Sequence, residues 1–335
     1  VLTVGAAVVV VLVLTGMPDG AGQAIRLADD AGKFSLGDFG PSLATSTFWV
    51  ILMYGVIMNL TNFGIDQNFV QRYHAAESDK AAGHSVWFGS LVYIPVALMF
   101  FFIGSILFSY GEANPEFLAE VKLEMVAADS PGLAKGSAEA MRLAGELQPS
   151  DYGDKVLPHF IANKIPAGLA GLLIAALFAA AMSSIDTSLN SSATIALQDF
   201  YRRWVKRDAT EAQSLRFLRV MTVVWGVIGT GVALAMMGVE SILDAWWKIS
   251  GVFAGGMLGL FLLGFISRRA TNAGAVTGAT VGLLVILWLT FSTGLTGDLA
   301  WLRSPFHAHM TSVIGTLSIF LIGLGASQVF GRKSD

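Results

Sequence analysis

Apolar residues occupy eight long blocks of the chain, and polar residues are concentrated between them. The predicted spans cover about 1–17, 43–71, 84–110, 166–198, 214–238, 241–267, 274–295 and 309–330. An apolar stretch of about 20 residues is long enough to cross the hydrocarbon core of a bilayer as a helix. The first block begins at Val1 with no charged segment before it, so we expect a spanning helix whose beginning lies outside this sequence. The pattern predicts an all-α polytopic membrane protein with about eight transmembrane helices, forming a single domain over 1–335.

Composition supports this class and argues against several others. Hydrophobic residues make up 54% of the chain and charged residues 13%, which is about half the charged fraction of soluble proteins. The absence of cysteine removes disulfides and thiolate metal sites. A net charge of −3 argues against a nucleic acid partner. The sequence lacks the H-E-x-x-H, G-x-S-x-G and Walker patterns, so we predict no catalytic residue and no enzyme activity.

The charges in the loops predict an orientation. Lys and Arg are concentrated after the second, fourth, sixth and eighth spans, for example at Arg202 and Arg268, and basic short loops face the cytoplasm. The segments 18–41 and 111–158 lie on the opposite side and carry most of the loop acids. We therefore predict a multi-pass protein of the plasma (inner) membrane with a cytoplasmic C-terminus. The loop 111–158 is predicted to be extracytoplasmic, with a short amphipathic helix near 137–147.

The fourth span carries hydroxyls and a carboxylate where a lipid-facing helix needs neither. Ala180, Ser183 and Ser184 follow i, i+3, i+4 spacing and share one helical face, and Asp186 and Thr187 extend the polar region. Hydroxyl, carboxylate and backbone carbonyl oxygens suit a small hard cation such as sodium. Small hydroxyl residues also allow close helix packing, which is the alternative explanation. The added carboxylate favours a functional site, because charges in membrane helices are costly.

Two other spans carry polar or aromatic residues, which are interpreted differently. Asn59, Asn62 and Phe63 share a face near the end of the second span, either as the wall of a polar cavity or as partners for interhelical hydrogen bonds. In the sixth span, Lys248 follows Trp246 and Trp247. An interfacial aromatic pair beside a lysine that reaches towards the headgroups is our interpretation for Trp246 and Lys248.

Three segments together resemble the sodium/solute symporter family, which includes sodium/glucose, proline, iodide and sialic acid transporters. They are AALFAAAMSSIDTSLNSSATIALQDFYRR, NLTNFGIDQNFVQRYHAAES and GMLGLFLLGFISRRATNAGAVTG. The resemblance implies a LeuT-type inverted-repeat fold, with the second repeat and peripheral helices present and the first repeat mostly missing. It also implies sodium-coupled symport of a small polar organic solute by alternating access. The alternative is a symporter-like membrane sensor or structural module without transport.

The resemblance assigns roles to individual positions in the fourth span. It places a sodium ion (Na+) on the carbonyl of Ala180 and the hydroxyls of Ser183 and Ser184. A second sodium, present in only some members, would use Ser183, Asp186 and Thr187. Those members often have a hydroxyl residue at the position of Asp186, so the carboxylate departs from their pattern.

The substrate positions follow in the same way. Asn59 matches a sugar-binding asparagine, and Asn62, followed by Phe63, stands at the position of an aromatic gate. Tyr93 aligns with a lysine that touches sugar, and Trp247 lies near the position of a glutamine. Several sugar contacts are thus replaced, which argues against a plain glucose transporter. The expected partners are sodium, the lipid bilayer and a small-molecule solute, which is a sugar, sialic acid, carboxylate or amino acid.

Overall fold

The computed structural model describes residues 2–130, 132–134, 136–237 and 242–331, and within these ranges the protein is helical. Its α-helices are α1 (Leu2–Thr15), α2 (Ala21–Asp30), α3 (Phe48–Gly64), α4 (Gln67–His74), α5 (Asp79–Ala113), α6 (Pro115–Asp129), α7 (Ala138–Glu146), α8 (Pro149–Lys164), α9 (Ala167–Ile195), α10 (Glu211–Ala235), α11 (Ile242–Ile266), α12 (Asn272–Phe291) and α13 (Met310–Gly331). A π-helix (Ala196–Val205) continues α9, and two short 3-10 helices, Ser292–Gly294 and Gly297–Leu302, follow α12.

Seven of the eight predicted spans coincide with one helix each, and the second coincides with two, α3 and α4. Among the described residues, five helical segments are long and apolar enough to cross a membrane alone: α5, α9 with its π-helix, α10, α12 with the 3-10 turn after it, and α13. The pair α3 and α4 passes the same test together, and shorter apolar helices lie at Leu2–Thr15 and Gly255–Ile266. Many large apolar side chains on these helices are exposed, as expected for surfaces that lipid covers. The prediction of a multi-pass membrane protein is therefore confirmed.

The second predicted span is a broken helix. Its first part begins after Thr47, whose hydroxyl accepts a hydrogen bond from the N–H of Val50 at 3.4 Å. The helix ends at Gly64, where the N–H groups of the next two residues both donate to the carbonyl of Thr61. Asp66 then caps α4 by accepting from the N–H of Asn68 at 2.8 Å, and the two parts are bent by 44°. The span predicted at 43–71 therefore consists of two helices.

The segment 111–158 is more ordered than a loop. The predicted amphipathic helix is confirmed as α7, which begins after Ser137, whose hydroxyl accepts from the N–H of Ala140 at 3.1 Å. The helices α6 and α8 flank it, and the sequence pattern did not predict either of them. Residues 111–158 thus form a small helical layer, whose extracytoplasmic location stays a prediction.

The chain divides into two compact units. The first contains the described residues of Val1–Ser35 and His84–Asp186, and the second those of Leu36–Gly83 and Thr187–Asp335. The core of the first unit joins α1, α5 and α8 through side chains such as Val13, Ile106 and Phe160, which are almost fully buried.

The second unit is built on α11, α12 and α13, whose backbones approach closely at small residues. A methyl group added at Gly278 would lie 2.7 Å from the carbonyl oxygen of Ile319 and 2.8 Å from the Cα of Gly323. The hydroxyl of Thr316 donates to the carbonyl of Gly255 at 2.9 Å and is itself fully buried. Small residues with interhelical hydrogen bonds are the usual means of packing helices within a membrane.

Candidate functional site

The predicted sodium ligands lie on one regular stretch of α9. The hydroxyl of Ser184 donates to the carbonyl of Ala180 at 3.3 Å, so two of the predicted ligand oxygens are already adjacent. Ser183 lies on the same face, one residue before Ser184, and all three residues are exposed. An exposed carbonyl with two neighbouring hydroxyls can supply three oxygen ligands to a cation without any loss of helix.

The residues of the predicted second sodium site follow on the same helix. Thr187 is half-buried and continues the face of Ser183 and Ser184 at i+4 and i+3. Asp186 is exposed and follows Ser183 at i+3, at the edge of that face. The helix therefore places a hydroxyl and a carboxylate one turn beyond the first set of oxygens.

The hydroxyl face continues to Ser191, and here α4 contacts it. Ser183, Ser184, Thr187 and Ser191 form what we call the hydroxyl stripe of α9. Gln71 donates from Nε2 to the hydroxyl of Ser191 at 2.8 Å, and Ser191 is only 4% exposed. Arg72 donates from Nη2 to the hydroxyl of Thr187 at 3.4 Å.

Sequence reasoning did not give Gln71, Arg72 or Ser191 a role. The signal for them was the Gln-Arg pair in the segment NLTNFGIDQNFVQRYHAAES, together with the recurrence of hydroxyls seven residues apart at Ser184 and Ser191.

The predicted substrate residues stand directly before the break between α3 and α4. The amide of Asn59 donates from Nδ2 to the carbonyl of Gly55 at 2.8 Å, so it is satisfied within its own helix. Asn62 and Phe63 occupy the last turn of α3, and both are half-buried. The carbonyl of Phe63 accepts from the hydroxyl of Tyr73 on α4 at 3.1 Å. Broken membrane helices are where transporters place polar substrates, and the substrate role of these residues stays a prediction.

The other aromatic candidates are separate from this cluster in sequence. Tyr93 lies on α5 in the first unit and is 71% exposed. Trp247 falls within α11, and its side chain lies outside the described part of the structure. Tyr54, a further aromatic residue of α3, stacks on His309 with 4.5 Å between ring centroids. That contact gives Tyr54 a packing partner in the segment just before α13.

Comparison with known proteins finds similarity to sodium-coupled symporters. A model of the sodium:solute symporter family matches residues 24–282. The sodium/sialic acid symporter NanT of Aliivibrio fischeri is 29% identical over 332 residues, which cover 98% of this chain and 58% of that protein. The sodium/sialic acid symporter SiaT of Proteus mirabilis is 27% identical and is matched over 98% of this chain and 59% of its own length.

A solved structure is also similar to this chain. It is described as the substrate-bound outward-open state of a Na+-coupled sialic acid symporter with a novel Na+ site. It matches with a TM-score of 0.76 and 26% identity, covering 98% of this chain and 60% of the other. The predicted all-α, LeuT-type fold is confirmed. The chain spans 58% to 60% of the length of these relatives, which are transporters and not enzymes.

Proposed function

Because this chain belongs to the sodium:solute symporter family, we propose that its protein carries a small polar organic solute across the membrane together with sodium, by alternating access. The observation that carries the proposal is the run of adjacent oxygens on α9, where the carbonyl of Ala180 and the hydroxyl of Ser184 are 3.3 Å apart. Such oxygens are costly in a membrane helix unless a ligand or another helix uses them.

Sodium binds through the carbonyl of Ala180 and the hydroxyls of Ser183 and Ser184 in this proposal. The three groups present their oxygens on one exposed face, which suits a hard cation that takes several oxygen ligands. Asp186 and Thr187 form the second, optional sodium position one turn further along. The carboxylate of Asp186 would bring a negative charge to that position, and a negative charge favours cation binding.

The solute binds beside the break in the α3–α4 helix, against Asn59, Asn62 and Phe63. Tyr93 and Trp247 are further proposed contacts. We propose sialic acid as the first solute to test, because the two relatives and the solved structure described above are sialic acid symporters. Within this proposal, Asn59→Ala raises the solute KM while the protein still reaches the membrane, and an unchanged KM removes Asn59 from the site.

The test is uptake by proteoliposomes that contain the purified full-length protein. Radiolabelled sialic acid, glucose, a monocarboxylate and proline are supplied in turn, with either an inward sodium gradient or an equal potassium gradient. The proposal expects accumulation of one of these solute classes only with the sodium gradient. Solute binding without accumulation in any class would favour the alternative of a sensor or structural module.

A further inference from the structure

Two hydrogen bonds join the short helix α4 to the hydroxyl stripe of α9. Gln71 and Ser191 are 2.8 Å apart between Nε2 and Oγ, although they are 120 positions apart in sequence. Arg72 and Thr187 are joined by a longer bond of 3.4 Å on a more exposed surface. All four residues belong to the second compact unit. The Gln71–Ser191 bond, which is shorter and has a buried serine as acceptor, is therefore the main contact, and Arg72 adds to it.

The hydroxyls of α9 differ in what they bond to. Ser184 and Thr194 both donate to carbonyls of their own helix, at 3.3 and 2.8 Å. Thr187 and Ser191 accept hydrogen bonds from α4. The part of the stripe at Thr187 and Ser191 is thus in contact with a neighbouring helix.

The position of α4 explains why this contact matters for the proposed sodium site. It follows the 44° break that ends α3 directly after Asn62 and Phe63. On the other side of the contact, Ser191 is seven residues beyond Ser184 on a continuous helix, a rise of about 10 Å at 1.5 Å per residue. Ser183 and Ser184 lie on the same helix as Ser191, so a shift of that helix moves all three residues.

We propose that Gln71 and Arg72 are positioning residues for sodium binding, which they affect by holding the stripe of α9 through Ser191 and Thr187. The inference rests on the proposed sodium site. Movement at the break, where the solute is proposed to bind, reaches the sodium ligands through this contact. Because coupling between two ligands is reciprocal, the same contact transmits sodium binding to the solute site.

The experiment measures the sodium concentration for half-maximal uptake in Ser191→Ala and Gln71→Met. The solute is the one that accumulates in the uptake test described under the proposed function. Each change removes one partner of the buried bond and is expected to raise that concentration about fivefold, at the lower end of typical coupling factors. The maximal rate at saturating sodium is expected to recover. The double variant should match the single ones, because the bond can be lost only once. Ser191→Thr keeps the hydroxyl and should restore the wild-type value.

Thr194→Ala is the matched control, because it removes a hydroxyl that donates to the carbonyl of Asn190 within α9. Ser191→Ala and Gln71→Met could instead lower the amount of protein or the maximal rate and leave the half-maximal sodium concentration unchanged. That result would overturn the proposal and show that the contact only packs the helices. If Ser191→Ala fails to reach the membrane, Gln71→Met decides the question alone. Uptake by the wild type that does not depend on sodium would overturn the proposed function and this inference together, whereas sodium-dependent wild-type uptake with unshifted variants overturns only the inference.

Discussion

At the scale of single residues, Ser184 shows how one hydroxyl can serve two purposes. Its donation to the carbonyl of Ala180 satisfies the hydroxyl proton inside the helix. In the proposed sodium site, the oxygen of the same hydroxyl is also a ligand of the cation. A serine that only packs against a neighbouring helix needs the hydrogen bond to its own helix but no contact with a cation. A packing role and a sodium-ligand role therefore predict different outcomes on substitution.

Ser184→Ala is expected to shift the sodium activation curve of uptake to higher concentration. The change removes one of about five oxygen ligands, and an ion–hydroxyl contact is worth at least a hydrogen bond to a charged group, about 1.5–3 kcal/mol. That range corresponds to about a ten- to hundredfold loss of affinity, with uptake partly recovered at high sodium. Thr194→Ala removes the same type of intrahelical bond at a distance and should not shift the curve. Equal curves for Ser184→Ala and wild type would leave Ser184 with a packing role.

At the scale of helices, α12 and α13 approach each other closely in the second unit. Gly278 of α12 faces backbone atoms of α13, which cannot move aside as a flexible side chain can. Glycine at this position is therefore a requirement of packing. Gly325 of α13 offers a contrast, since a methyl group added there meets no atom within 4 Å.

Gly278→Ala is expected to destabilise the three-helix bundle by about 1–3 kcal/mol, because overpacking forces the backbones apart. Gly325→Ala is expected to be neutral or slightly stabilising, since alanine has the higher helix propensity. Thermal unfolding of the detergent-purified protein, followed by its fluorescence, measures both. Equal midpoints for the two variants would mean that α12 and α13 are less closely packed than in this structure.

The contact of α3 with the segment before α13 is expected to depend on pH. Burial lowers the pKa of His309 below its usual value of 6.5, and the nearby His307 lowers the pKa further. Below pH 6.5 the imidazole takes up a proton more readily in the unfolded chain than in the folded protein. The free energy of unfolding therefore decreases as the pH falls from 6.5 to the lower pKa of the folded protein. Neutral His309 stacks on Tyr54, and protonation would place a charge in that contact.

The test compares thermal midpoints at pH 7.5 and 5.5 for wild type and His309→Phe. Phenylalanine keeps a ring for Tyr54 to stack on but cannot take up a proton. The wild type should lose more stability on acidification than the variant does. Identical losses would assign the pH dependence to other groups.

At the scale of the whole molecule, the distribution of charge predicts which loops face each side. Arg203, in the π-helix after α9, is predicted to be cytoplasmic, whereas the exposed Gly145 of α7 is predicted to be extracytoplasmic. Residues 1–335 contain no cysteine, so a single introduced cysteine is the one thiol in this part of the protein.

In intact cells, an impermeant thiol reagent should label a Gly145→Cys variant and leave an Arg203→Cys variant unlabelled until the membrane is made permeable. Labelling of Arg203→Cys from outside would reverse the predicted orientation. Labelling of neither variant before permeabilisation would remove the extracytoplasmic assignment of residues 111–158.

The sequence by itself determined the features that depend on neighbours along the chain. Apolar blocks of sufficient length specify helices in a membrane, because an unpaired backbone group in lipid costs several kcal/mol. The shared face of Ala180, Ser183 and Ser184 follows from the 3.6-residue period alone, and α7 begins at the serine that can cap it. These features need no information about distant residues, so the sequence was enough to predict them.

Only the tertiary structure decided the features that depend on distant residues. The break between α3 and α4 lies inside a segment apolar enough to read as one span, so the polarity pattern did not reveal it, although the hydrogen bonds of Thr61 and Asp66 at the break are local. The contact of Gln71 with Ser191 joins positions 120 residues apart, which no local period can encode. The polarity pattern indicates that a polar side chain within the membrane needs a hydrogen-bond partner. The packing of the helices determines which residue that partner is.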